Sequence, residues 1–138
     1  MLKPTHIAET ALYVEDMERA AQFYTRLFNV SALRRDERLC ALRINAQQVL
    51  LLFLRGGSLE SVKLEGGVIP AHDGGGPLHV CFGIGTNEVG AWEQRLQELG
   101  IAIESRMRWQ PGGTSLYFRD PDGHAVELAT PRVWSSDS

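Results

Sequence analysis

The sequence predicts an α+β fold built from two tandem βαβββ repeats, forming one curved mixed sheet with an inner cup and the helices outside. Three observations predict it. Each half of the chain reads strand, helix, strand, strand, strand. Residues at matching points of the two halves recur at similar offsets: Glu9 and His79, and Asp16 and Thr86, are each 70 residues apart, and Leu51 and Glu127, in the final strands, are 76 apart. Between the halves, 55–77 holds seven glycines, two prolines and no clear period. Neither half alone has a comfortable core, so the 138 residues are expected to form one domain: repeat 1 over about 5–55, a linker loop at 56–77 and repeat 2 over about 78–131.

The first repeat opens with a strand over 6–14, in which Thr10, Leu12 and Val14 share one face and Glu9, Ala11 and Tyr13 the other. Asp16 is placed to cap a helix from Met17 to Phe28, whose apolar positions are Ala20, Tyr24, Leu27 and Phe28. Asn29 can end it in the left-handed region. Strands are expected at 31–35, 39–44 and 49–54, with a turn at 45–47. The glycine-rich break is read as a linker or mobile loop carrying His72. Gly74–Gly76 lacks the strand–Gly–helix context of a phosphate loop and is read as flexibility.

In the second repeat, 78–84 alternates: Val80, Phe82 and Ile84 face one way, His79, Cys81 and Gly83 the other. Thr86 or Asn87 is expected to cap a helix with the stripe Val89, Trp92, Leu96 and Leu99, stopped by Gly100. This stripe is core. Strands follow at 101–107, 115–119 and 124–129. Asp120-Pro121-Asp122-Gly123 is a strong turn signal, because proline presets φ and Gly123 tolerates positive φ. The tail, Pro131–Ser138, is expected to fray, with Val133 and Trp134 the residues able to pack back.

Composition narrows the function. A hydrophobic fraction of 43% and a charged fraction of 22% describe an ordinary globular chain. A net charge of −3 without a basic stripe argues against a nucleic-acid partner. The sequence shows no apolar run long enough for a membrane span and no signal pattern, so neither membrane insertion nor secretion is expected. Cys40 and Cys81 are too few for a disulfide framework and are read as small apolar strand residues, consistent with a cytoplasmic location.

Strand parity brings out the chemistry. The apolar faces pack under the helices, so Glu9, His79 and Glu127 face the cup. A carboxylate centred between Ala125 and Ala129 costs several kcal/mol to desolvate unless it is paired. Three-point coordination by His and carboxylates, with remaining positions open, is how a catalytic divalent metal is held. His6 and His124 are expected at the surface, and Arg34, Arg35, Arg106 and Arg108 as solvated strand charges.

The stretches Glu9–Phe28, Gly76–Ile84 and Ser115–Pro131 (SLYFRDPDGHAVELATP) resemble the vicinal oxygen chelate superfamily, which includes glyoxalase I, bleomycin-resistance proteins, fosfomycin-resistance enzymes and extradiol dioxygenases. The resemblance implies a divalent metal (Mn, Fe, Ni, Co, Mg or Zn) at Glu9, His79 and Glu127, where Glu9 replaces the usual histidine. The glyoxalase I branch takes a fourth ligand at the position of Leu51, which cannot ligate. This argues against glyoxalase I activity itself, and the second His–Glu chemistry of the dioxygenases is not visible either. The shared chemistry is Lewis-acid chelation of a small, vicinally oxygenated substrate. Lyase, isomerase, transferase and dioxygenase reactions all remain open. Tyr117, Arg119 and the loop residue His72 are candidate catalytic groups. Tyr13, Arg43, Leu51 and Phe53 are candidate substrate-binding groups. A homodimer is expected, with repeats paired within a chain or swapped across a two-fold axis. The competing functions are a metal-free, drug-sequestering dimer of the bleomycin-resistance type and a nonenzymatic sensor with a vestigial site.

Overall fold

A computed structural model describes residues 1–110 and 112–134. It divides into two compact units, Met1–Gly76 and a second beginning at Pro77. Each carries the expected βαβββ plan.

The first unit contains β1 (Glu9–Val14), α1 (Met17–Phe28), β2 (Ala32–Arg35), β3 (Leu39–Arg43) and β4 (Val49–Leu54). Its sheet runs β1-β4-β3-β2, with β1 parallel to β4 and the other pairs antiparallel. Local chemistry sets the helix ends. Asp16 accepts a hydrogen bond from the Arg19 backbone N–H at 3.1 Å, and Asn29 adopts φ 53° while its N–H closes on the Thr25 carbonyl. Met17, Ala20, Ala21, Tyr24 and Leu27 form the buried face of α1. They meet Leu12, Val14, Cys40, Leu42, Leu50 and Leu52, each at most 1% exposed. Each buried leucine contributes about 1.5–3 kcal/mol. The opposite face of the same sheet carries Ala11, Tyr13, Leu39, Ala41, Leu51 and Phe53, all half-buried.

The segment after β4 is more structured than the sequence suggests. It forms a two-stranded hairpin, β5 (Val62–Leu64) and β6 (Gly67–Ile69). Strands this short leave too few residues for a period to show. Beyond the hairpin the chain is clasped back. The His72 N–H donates to the Ser58 carbonyl at 2.9 Å and the Gly56 N–H donates to Asp73 at 3.0 Å. Gly74 lies flat on the Tyr13 ring, where an added Cβ would stand 2.4 Å from Tyr13 Cδ2. Gly74 therefore serves close approach, not flexibility.

The second unit contains β7 (His79–Gly83), α2 (Val89–Glu98), β8 (Ser105–Arg108), β9 (Thr114–Arg119) and β10 (Ala125–Ala129). Its sheet runs β7-β10-β9-β8, with β7 parallel to β10. Val80, Leu96, Leu116, Phe118, Val126 and Leu128 form its core. Neither Thr86 nor Asn87 caps α2. They occupy the preceding turn, and Glu88 is the cap residue, its side chain turned back to accept from the Gly85 N–H at 2.5 Å. The other end is as expected. Gly100 takes φ 72°, and the Gly100 and Ile101 N–H groups bond the Gln97 and Leu96 carbonyls in a Schellman pattern. β8 begins at Ser105, four residues later than expected at Ile101.

The Asp120–Gly123 turn closes as predicted, with Gly123 at φ 82° and its N–H on the Asp120 carbonyl. His124 is not at the surface. It is 1% exposed, and its Nδ1 accepts from the Leu78 N–H at 2.8 Å, pinning the start of β7 to β10. Val133 packs onto Gly113, but Trp134 is 94% exposed. Among the described residues, no helix is long and apolar enough to cross a membrane.

Candidate functional site

The registers of the two sheets establish the internal equivalences. Glu9 pairs with Val49 and His79 with Ala125, so Glu9 and His79 hold the same place in their sheets. Leu51 pairs with Ala11 and Ala41, as Glu127 pairs with Cys81 and Tyr117. Arg43 opposite Val49 corresponds to Arg119 opposite Ala125. Leucine therefore stands in the first unit where the second has its buried carboxylate.

In the second unit, the face turned away from α2 gathers His79 and Cys81 from β7, Glu127 from β10, and Ser115 and Tyr117 from β9. Glu127 is 8% exposed, and both of its oxygens are engaged. Oε2 accepts from the Ser115 hydroxyl at 2.5 Å; Oε1 stands 3.2 Å from His79 Nε2. His79 Nδ1 lies 2.9 Å from the Ala125 carbonyl oxygen. A carbonyl only accepts, so Nδ1 carries a proton, and Nε2 is the nitrogen left facing Glu127, open to a proton or a metal ion.

This is the orientation a ligating histidine needs, with its other nitrogen held by a backbone oxygen. Two donors each ~2.1 Å from a divalent ion and at right angles stand about 3.0 Å apart, close to the observed 3.2 Å. The donor set thus fits one edge of a coordination polyhedron. Among the described residues, no three His, Cys, Asp or Glu side chains are gathered closely enough to hold a metal by themselves. Glu9, the third expected ligand, is exposed at the start of β1 in the first unit.

The carboxylate sets the local electrostatics. The Cys81 thiol is pushed up to about 12, first by desolvation and then by the Glu127 charge. Both cysteines are strand residues as expected, but only Cys40 is buried; Cys81 is exposed on β7, its thiol held protonated beside the Glu127 carboxylate. Burial and the same charge also raise the Tyr117 phenol, which remains an O–H donor at neutral pH. Its ring lies 6.4 Å from the His79 ring, with 29° between the planes. Arg119 is differently employed. Its guanidinium spans both Glu104 oxygens at 3.2 and 3.1 Å and donates to the Gly123 carbonyl at 3.0 Å, bracing the hairpin turn.

In the first unit, the Tyr13 hydroxyl and His72 Nδ1 are 2.8 Å apart. The His72 ring also meets the Phe53 ring edge-on at 4.4 Å, so three candidate residues form one aromatic cluster over β1 and β4. Leu51 lies half-buried on the same sheet face, and exposed Arg43 reaches the Ala46 carbonyl at 3.4 Å. Sequence reasoning missed Ser115 and Trp109, whose indole N–H donates to the Ser115 hydroxyl at 2.9 Å. The only signal was a serine on the same strand face as Tyr117.

Two tandem βαβββ units, the second bearing a histidine and a carboxylate on one sheet face, define a class of protein. The chain belongs to the Glyoxalase/Bleomycin resistance protein/Dioxygenase superfamily, which it matches over residues 5–128. A metallothiol transferase FosB of Bacillus licheniformis is 28% identical over 122 residues, covering 88% of this chain and 72% of that protein. A catechol-2,3-dioxygenase of Bacillus subtilis is 28% identical over 137 residues, 96% of this chain but only 45% of that protein. Among solved structures, a lactoylglutathione lyase from Agrobacterium tumefaciens superposes with a TM-score of 0.85 at 34% identity, covering 95% of this chain and 97% of that one.

Proposed function

We propose that the protein is a metal-dependent enzyme that acts on a small substrate bearing vicinal oxygens. Three residues hold the divalent ion: His79 through Nε2, Glu127 through Oε1, and Glu9 at the register position equivalent to His79. The observation that carries this reading is the 3.2 Å convergence of Nε2 and Oε1, with the His79 tautomer fixed by Ala125. The relatives support it, since they include a metallothiol transferase, a catechol-2,3-dioxygenase and a lactoylglutathione lyase.

Bound there, the ion would supply Lewis acidity to the substrate oxygens. The protein's own groups do the rest. Two carboxylates balance a 2+ charge, so the buried Glu127 is not left uncompensated. Tyr117, opposite Glu127 in register, donates its O–H to a substrate oxygen and orients it. Arg119 keeps the Asp120–Gly123 turn, and therefore β10, in register. Tyr13, Phe53, Leu51 and Arg43 take the remainder of the substrate, with His72 serving as proton acceptor or loop anchor. Leu51 in place of a carboxylate leaves a three-ligand set, which favours a reaction other than that of glyoxalase I.

The test is calorimetric titration of chelator-treated protein with Mn²⁺, Ni²⁺ and Zn²⁺, with chain mass determined by light scattering. Saturable binding lost in Glu127→Ala supports the reading. A protein that binds none of these ions, yet takes up apolar ligands as a dimer, would instead be a sequestering protein of the bleomycin-resistance type. Mixing Glu9→Ala with His79→Ala chains separates the two assemblies. Binding is restored in the mixture only if Glu9 and His79 of one site come from different chains.

A further inference from the structure

We propose that Trp109 and Ser115 form a one-way hydrogen-bond relay that fixes the Glu127 carboxylate and makes the Trp109 indole a reporter of the site. The positioning role rests on the reading of Glu127 as a metal ligand. The relay itself does not.

The direction follows from donor and acceptor counts. An indole N–H can only donate, so the Ser115 oxygen accepts it at 2.9 Å. The single hydroxyl proton is then left for Glu127 Oε2, 2.5 Å away. A hydrogen bond to a carboxylate is stronger than one between neutral groups, and linked bonds polarise one another. Ser115 is 0% exposed, so water does not compete for either bond. With Oε2 held, the carboxylate cannot rotate freely, and Oε1 is the oxygen presented to His79.

The far end of the relay is anchored as well. Trp109 sits in the β8–β9 connection, where its N–H donates to the Gly113 carbonyl at 2.8 Å and its carbonyl accepts from the Gly112 N–H at 2.9 Å. The indole is half-buried and its position is set by this turn. Ser115 and Trp109 touch neither proposed substrate nor metal and are positioning residues. Partners at this distance typically carry 10–100-fold in metal affinity.

The experiment uses a full-length chain carrying Trp92→Phe and Trp134→Phe, so that Trp109 is the single indole. In the chelated protein, Glu127→Gln and Ser115→Ala are each expected to move the indole N–H resonance and speed its exchange with solvent, while Ser115→Thr preserves both. On titration with Zn²⁺, the parent chain is expected to shift its Trp109 emission. Ser115→Ala is expected to bind about 10–100-fold more weakly, with Ser115→Thr restoring affinity. An indole resonance unmoved by Glu127→Gln overturns the relay. Unchanged Zn²⁺ affinity in Ser115→Ala overturns the positioning role. If the parent chain binds no Zn²⁺ while the resonance still responds to Glu127→Gln, the metal reading fails and the relay stands.

Discussion

His79 and Glu127 face each other across the β7–β10 pair at 3.2 Å, one half-exposed and the other almost fully buried. This asymmetry makes a prediction. His79 contributes little to the bare fold, so His79→Ala should change the stability of chelator-treated protein by less than about 1 kcal/mol. It should nevertheless remove the metal-induced rise in Tm, which for the unaltered protein corresponds to about 2.7 kcal/mol at a hundredfold excess over Kd. Thermal melts with and without chelator check this. Equal destabilisation in both conditions would assign His79 a purely structural role.

Gly74 is predicted to be intolerant of a methyl group. A Cβ there would meet Tyr13 at 2.4 Å near the root of its ring, where the side chain cannot swing away cheaply. Gly74→Ala should cost about 1–3 kcal/mol and disturb the Tyr13–His72 hydrogen bond. Urea unfolding measures the first effect, and the His72 ring resonances the second. Unchanged values for both would mean that the loop is not clasped as described.

His124 is predicted to be a structural residue. Replacing it with alanine leaves the Leu78 N–H without its acceptor, at a cost of about 1–3 kcal/mol, plus the cavity left by the ring. Metal affinity per folded molecule should be unaffected. Unfolding curves and calorimetry on the same sample separate the two quantities.

Asp36 gives a pH-dependent prediction. Its carboxylate accepts from the Arg38 and Leu39 N–H groups at 2.8 and 2.9 Å, and the Arg38 bond is the main reason its pKa lies below the ordinary 3.8. A depressed folded pKa means that the contribution is present above the unfolded value and is lost as pH falls through the folded one. The Asp36 side chain is 42% exposed, so the contribution is under about 1 kcal/mol. Asp36→Ala should be less stable than the parent at pH 7, and the gap should close below pH ~4. A gap that persists in acid would contradict the hydrogen-bond account.

Much of this fold was legible because its signals are local. The α1 cap pair Asp16 and Asn29, the alternation of β1 and β7 and the Asp120–Gly123 turn each depend on a few neighbouring residues. The equivalence of Glu9 with His79, and of Leu51 with Glu127, followed from matching positions in the repeated strand plan, 70 and 76 residues apart, and is repeated in the strand registers. What escaped notice is long-range. His124 is buried because Leu78, 46 residues earlier, needs an acceptor. Trp109 matters through Ser115, and Gly74 through Tyr13. The hairpin β5–β6 was hidden because three-residue strands have no period, and the α2 cap because Glu88 bonds backward to Gly85.

The central claim concerns metal at His79 and Glu127. It is tested most directly by the divalent-metal affinity and stoichiometry of the chelator-treated protein alongside Glu9→Ala, His79→Ala and Glu127→Ala. The account predicts one ion per site in the parent chain and at least a hundredfold loss in each variant. Affinity in the three variants equal to that of the parent would contradict it.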